Sequence, residues 1–198
     1  MGNIFTNTSA TTAAVTNRFV TTTNMKVGAY TIANASPVWA GGCLITATIS
    51  PVTGNDTAGT LTVVGTNLAN QAQTEVITLV DGVGATGTKV FRSVVSATGA
   101  GWIINTGNDT IVIGCTAGNI VCASGGTLGG VLVNNSVAAT IVISDARGTI
   151  ITVPASQAAG TYYDLHDVEF AGFLKVATTS TNDVTVFHTP TVPTYATA

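Results

Sequence analysis

From Cys43 onward no dozen consecutive residues hold a helical period; the chain advances in short runs of β-branched residues punctuated by Gly, Asn and Asp. "CLITATIS", "GTLTVVGT", "TEVITLV", "TKVFRSVV", "GWIIN" and "TIVIGC" form a first set, and "GVLVNN", "ATIVISD", "GTIITV", "FAGFLKVA" and "DVTVFH" a second. Many alternate by twos: Leu61 and Val63 fall on one face of "TLTVV" while Thr60, Thr62 and Val64 fall on the other. Such runs cannot bury an apolar face alone, so they must pair and stack. The pattern predicts an all-β chain of two small antiparallel β-sandwich or barrel-like domains, since both topologies share the alternation. Only "PASQAAG" (154–160) has the composition of a helical turn.

Composition suggests the divisions. Residues 1–28 are rich in Thr and Asn, hold no acidic residue and read as an extended N-terminal arm. A first β domain is expected over 29–118 and a second over 119–198, with a hinge in the Gly-rich stretch near 116–128. The tail "TPTVPTYATA", with Pro190 and Pro193, should end the last strand and run extended. "SDARGTI" reads as a turn built on Asp145 and Gly148.

The surface is unusual in kind. Only 8% of the 198 residues are charged, against about 25% in ordinary soluble domains, so polarity rests on Thr, Ser, Asn and Gly. Uncharged surface costs less to desolvate than charge, which suits a protein that works while docked to partners. The net charge is −3, and the six basic residues (Arg18, Lys26, Lys89, Arg92, Arg147 and Lys175) stand singly, so no direct nucleic-acid partner is expected. No apolar run approaches the roughly 18 residues of a membrane span, and the N-terminus lacks the form of a secretory signal. "MGNIFT" matches an N-myristoylation pattern without polybasic support. Three cysteines, Cys43, Cys115 and Cys122, make no disulfide framework; Cys115 and Cys122 could approach across "TAGNIV", but all three read better as small buried hydrophobes.

Candidate chemistry is sparse. Gly82, Gly84 and Gly87 spell G-x-G-x-x-G after a strand-like run, the spacing of a dinucleotide cradle. The run after Gly87, "TKVFRSVVS", has strand composition, and no acid closes a βαβ unit about 20 residues on, so the glycines read as a turn and no cofactor is expected. Asn-Asp recurs before β runs in "TGNDTAGTLTV", "TGNDTIVIG" and "TNDVTVF"; one acid per copy is too few for calcium, and turn punctuation is the better reading. The densest ionisable cluster is "YYDLHDVEF". As a regular strand it would put Asp164 and His166 on one face and Asp167 and Glu169 on the other. With His188 the only other histidine and no nucleophile motif, no catalytic, cofactor-binding or metal residue is assigned. Trp39, Trp102 and the tyrosines read as packing or interface residues.

Two stretches resemble known segments. Residues 52–114, with "TGNDTAGTLTVVGTN", "TEVIT", "GTKVF", "GAGWII" and "NDTIVIG", resemble a module of virion structural proteins of tailed bacteriophages. Residues 126–187, with "GVL", "IVISD", "GTI", "FAGFLKV" and "TNDVTV", are similar to another such module, from which the acidic "DLHDVEF" departs. The resemblance implies a non-enzymatic virion component, assembled in the bacterial host cytoplasm, that decorates or cements the capsid. It further implies a homo-oligomer, trimer favoured, whose partners are the major capsid protein or other virion proteins. The alternatives are a neck, tail or head-fibre protein with adhesive function, and a carbohydrate-acting or metal-binding enzyme centred on Asp164, His166, Asp167 and Glu169.

Overall fold

A computed structural model describes residues 4–8, 14–37, 41–50, 57–104, 107–136, 138–180 and 183–191. The described residues form sixteen β-strands and a single 3-10 turn, Met25–Val27, arranged as four antiparallel four-stranded sheets. The all-β expectation therefore holds. The strands fall into two units.

In the unit of residues 14–117, one sheet has the order β2-β9-β4-β7, from β2 (Val15–Asn24), β4 (Cys43–Ser50), β7 (Ala85–Phe91) and β9 (Thr110–Cys115). The other has the order β3-β8-β5-β6, from β3 (Ala29–Tyr30), β5 (Thr60–Thr66), β6 (Ala72–Thr78) and β8 (Ser93–Ala100). Alternation decides which face goes inward: Cys43, Ile45, Ala47 and Ile49 of β4 are buried, while the residues between them are half-buried or exposed. Phe19, Ile45, Ile111 and Ile113 from the first sheet join Leu61, Val63, Val94 and Ala97 from the second in one core, which makes the unit sandwich-like. Each large aliphatic or aromatic side chain removed from water contributes about 1.5–3 kcal/mol to that core.

The second unit comprises Ile4–Thr8 and the described residues from 118 onward. Its sheets are ordered β1-β16-β11-β14 and β10-β15-β12-β13. The first consists of β1 (Ile4–Thr8), β11 (Gly126–Val133), β14 (Tyr162–Phe170) and β16 (Val184–Pro190). The second consists of β10 (Asn119–Cys122), β12 (Ile141–Ser144), β13 (Thr149–Val153) and β15 (Leu174–Thr178). Leu128, Val131, Ile141, Ile143, Leu174, Val176 and Val186 fill its core. The turn expected at "SDARGTI" is present: the Asp145 carboxylate accepts hydrogen bonds from the amides of Arg147, Gly148 and Ala171.

Several local expectations are corrected. Residues 1–28 are not one extended arm: β1 pairs with β16, and β2 pairs with β9 and buries Phe19 and Val20 completely. Adjacent apolar residues in a bulged strand break the period-two signal, which hid β2 among threonines. The two units divide between Ala117 and Gly118, inside the stretch expected near 116–128, though β10 and β11 also begin within that stretch. "PASQAAG" forms turns, with Ser156 at φ 67°, and no helix. Among the described residues of "GWIIN" only Ile103 pairs, through an isolated bridge to Thr57. The residues beyond Thr191, the extended part of the predicted tail, lie outside the described residues, as does Trp39.

Candidate functional site

The glycine triplet sits where the chain leaves the β3-β8-β5-β6 sheet and enters its opposite sheet at β7. Gly82 and Gly84 adopt left-handed φ angles of 67° and 81°, which lets residues 81–84 turn tightly. Gly87 lies inside β7, so no helix begins there to aim amides at a phosphate. Its purpose is different. A Cβ at position 87 would stand 2.5 Å from Oε2 of Glu75 and 2.9 Å from its Cδ. Glu75, on β6 and only 7% exposed, reaches across to β7. Its Oε1 accepts from the Thr88 amide at 2.6 Å, the Thr88 hydroxyl at 3.0 Å and the Lys89 amide at 3.1 Å. The third glycine therefore makes room for a carboxyl group that ties one sheet of this unit to the other.

The acidic cluster occupies β14, an edge strand of its sheet. Asp164 pairs with Gly130 and Val168 with Leu128, so Leu165, His166 and Asp167 together oppose only Gly129. This wide bulge places His166 and Asp167 at φ 49° and 57°, left-handed angles that non-glycine residues adopt at a cost. The expected two-by-two division of the acids across a straight strand is thus interrupted. His166 and Asp164 do come together: Asp164 Oδ1 accepts from the His166 amide at 3.0 Å, and Oδ2 lies 3.3 Å from His166 Nδ1. The His166 side chain is 86% exposed, so water screens the contact. Asp167 Oδ1 lies over Gly129, and Glu169 pairs through its backbone with Thr127. Among the described residues no group of three His, Cys, Asp or Glu side chains is arranged to hold a metal ion. A bulge with charges on an edge strand blocks pairing with foreign strands, which is sufficient reason for this cluster.

His188 belongs elsewhere. It is buried, lies edge-on to the Phe170 ring at 6.3 Å, and burial pushes its pKa below the ordinary imidazole value. The approach of Cys115 to Cys122 that the intervening loop allowed is not the cysteine contact that forms. Cys43 and Cys115, on adjacent strands β4 and β9, bring their sulfurs to 2.8 Å, whereas Cys122 contacts Ser124 in the second unit. The hydrogen bond to Cys115, reinforced by burial, pushes the Cys43 thiol far above the usual range, so it stays protonated. All three are buried, in keeping with small hydrophobes. Nothing in sequence spacing signals the Cys43–Cys115 contact, because strand pairing alone creates it.

Where they are described, the Asn-Asp repeats lie in the connections just before β9 and β16. Asp183 accepts from the side-chain amides of Asn134 and Asn135 at 2.8 and 3.3 Å, and its carbonyl accepts from the Asn134 amide. Asp109 is buried, and its carbonyl accepts from the Met25 amide. The first copy, at 53–56, lies outside the described residues. One open depression of about 280 Å³ borders β4 and β7, lined by Ala14, Thr16, Thr46, Thr48, Val83 and Thr86 among others, with hydroxyls and methyls but no ionisable side chain. No helix among the described residues is long and apolar enough to cross a membrane. Compared with protein-family models, curated proteins and solved structures, the chain matches none of them.

Proposed function

We propose that the chain is a non-enzymatic structural component of a tailed-phage virion, a decoration protein that binds the outer capsid as a homo-oligomer and stabilises it. One observation carries the reading beyond the resemblance: outward strand positions hold hydroxyls and methyls where charges are usual. Thr21 and Thr22 on β2, Thr74 and Thr78 on β6, and Ser96 and Thr98 on β8 are all exposed. Such a surface loses little hydration energy on docking and raises no like-charge repulsion between many copies. Two double-sheet cores supply stiffness beneath it. The phage shell and other virion proteins are the partners, and the virion is the place of action.

Quantifying the chain against the major capsid protein in purified particles tests this. Hundreds of copies per particle support decoration. A dozen or fewer overturn it in favour of a neck, tail or fibre station, and absence from particles removes the virion reading altogether.

A further inference from the structure

Among the described residues, the strand positions on the outer face of the β3-β8-β5-β6 sheet carry no charge. Strand register builds it in rungs. Thr78, Thr60 and Ala100 form one, and Val76, Thr62, Thr98 and Ala29 the next, followed by Thr74, Val64 and Ser96. All these positions alternate with buried residues, so their side chains point away from the core. At the end of the third rung the β5–β8 register shifts between Val64 and Gly65, which leaves Val95 as an extra residue, 69% exposed. Val76, on the edge strand β6 in the second rung, is 62% exposed. Val27, Val80 and Ile103, three more of the chain's exposed large apolar residues, lie in the segments leading into or out of these strands. Cations at its margin are already engaged: Lys89 Nζ donates to the Thr74 carbonyl at 2.7 Å from the β7 side, and Lys26 Nζ to the Gly107 carbonyl at 3.1 Å.

We propose that this face docks a second copy of the chain, two such sheets packing face to face about a twofold axis. The proposal rests on the homo-oligomer of the reading above and names a twofold contact for it, in place of the trimer that the resemblance favours. Charge selects the occupant. A partner with charges here would bury them opposite threonine, valine and alanine, with nothing to pair them. An uncharged β-face of matching ridges meets that requirement, and the chain itself supplies one. A single self-complementary patch gives an isologous, twofold contact. Area is adequate: three full strands and short β3, at ~4.8 Å between strands and ~3.4 Å per residue, give on the order of 400 Å² in projection. Two copies bury about twice that, and side-chain relief with the flanking valines brings the total to the ~1,000 Å² that specific interfaces need.

The test is solution mass, by light scattering and sedimentation, of the full chain, of Thr62→Lys/Val76→Lys, and of a control with the same added charge at exposed β13 positions, Thr149→Lys/Thr152→Lys. Wild type and control should be dimers at micromolar concentration. The face variant should dissociate at least about 100-fold more readily while its tryptophan emission and circular dichroism stay native. If that variant fails to fold, Thr98→Lys on β8 repeats the test. A wild type that is monomeric at 100 times that concentration, or a folded face variant as dimeric as the control, overturns the proposal. A monomeric wild type whose face variant no longer binds particles also overturns it, and assigns the face to the shell. Particle copy number stays an independent readout: a monomer present in hundreds of copies sinks the docking proposal alone, while a dimer absent from particles sinks the virion reading alone.

Discussion

Replacing Gly87 by Ala should destabilise the unit of residues 14–117 through one neighbour, Glu75. Gly87 is not among the left-handed glycines, so an alanine there meets no backbone penalty and should even gain about 0.5–1 kcal/mol from a stiffer unfolded chain. Against that gain stands the new Cβ, 2.5 Å from Oε2 of Glu75. The carboxyl group can swing clear only by giving up its contacts to the Thr88 amide, the Thr88 hydroxyl and the Lys89 amide. Three hydrogen bonds at about 1 kcal/mol each, less the backbone gain, put the net loss near 2 kcal/mol. Both tryptophans, Trp39 and Trp102, fall within residues 14–117, so their emission during urea unfolding reports this unit separately from the other. The decisive comparison is a double-mutant cycle. In a Glu75→Ala background Gly87→Ala should become neutral or stabilising, giving a coupling of about 2–3 kcal/mol. If the two substitutions add to within ~0.5 kcal/mol, the claim that Gly87 exists to admit Glu75 is wrong.

The same geometry sets other outcomes. Cys43, Cys115 and Cys122 should all resist a maleimide in the folded chain at pH 8 and all react in denaturant, read by mass spectrometry; rapid native labelling of Cys43 would contradict its buried, hydrogen-bonded state. His166→Gly should leave the melting temperature unchanged or raise it, since glycine holds φ 49° without strain and the contact it removes is solvated; a marked fall would reveal a tighter role for the bulge. Burial lowers the pKa of His188, so its unfolded form takes up a proton that its folded form refuses. Stability should therefore fall as pH drops below about 6.5, and His188→Phe, if it folds, should flatten that slope. Asp145 acts in a lower range. Burial would raise its pKa, but the amides of Ala171, Arg147 and Gly148 and the Arg147 side chain outweigh that and hold it below the usual carboxylate value. Its contribution should be present above about pH 4 and vanish as pH falls through the lowered value, an effect that Asp145→Asn removes.

Where alternation was strict, the strands were legible to the residue: "CLITATIS" is β4 and "TIVIGC" is β9. The inward set of β5, Leu61 and Val63, could also be read directly. Legibility failed where geometry broke the period. "TKVFRSVV" reads as one run, yet the chain leaves β7 and starts β8 in another sheet around Arg92, with no Gly or Pro to mark the step. β11 looks like a linker because of its glycines, but Gly130 is where the Tyr162 ring lies across the strand. The bulge of β14 is invisible for the opposite reason: "DLHDVEF" has an acceptable strand pattern, and nothing in it marks His166 and Asp167 as left-handed. The uncharged outer face was half legible. Alternation identified Thr60, Thr62 and Val64 as one face, whereas the register that aligns them with Val76 and Thr98 is a tertiary fact.

The pairing of β1 with β16 fixes an order of events during synthesis. Ile4–Thr8 leave the ribosome before any other described strand, and their hydrogen-bonding partner emerges after all the rest. Residues 14–117 can complete both of their sheets while translation continues, since every strand they need lies within them. The other unit must wait, holding an open edge on β1 until Val184–Pro190 arrives, and it then closes the longest loop in the chain. Ribosome-stalled intermediates should accordingly show one protease-resistant body before β16 appears and two after it.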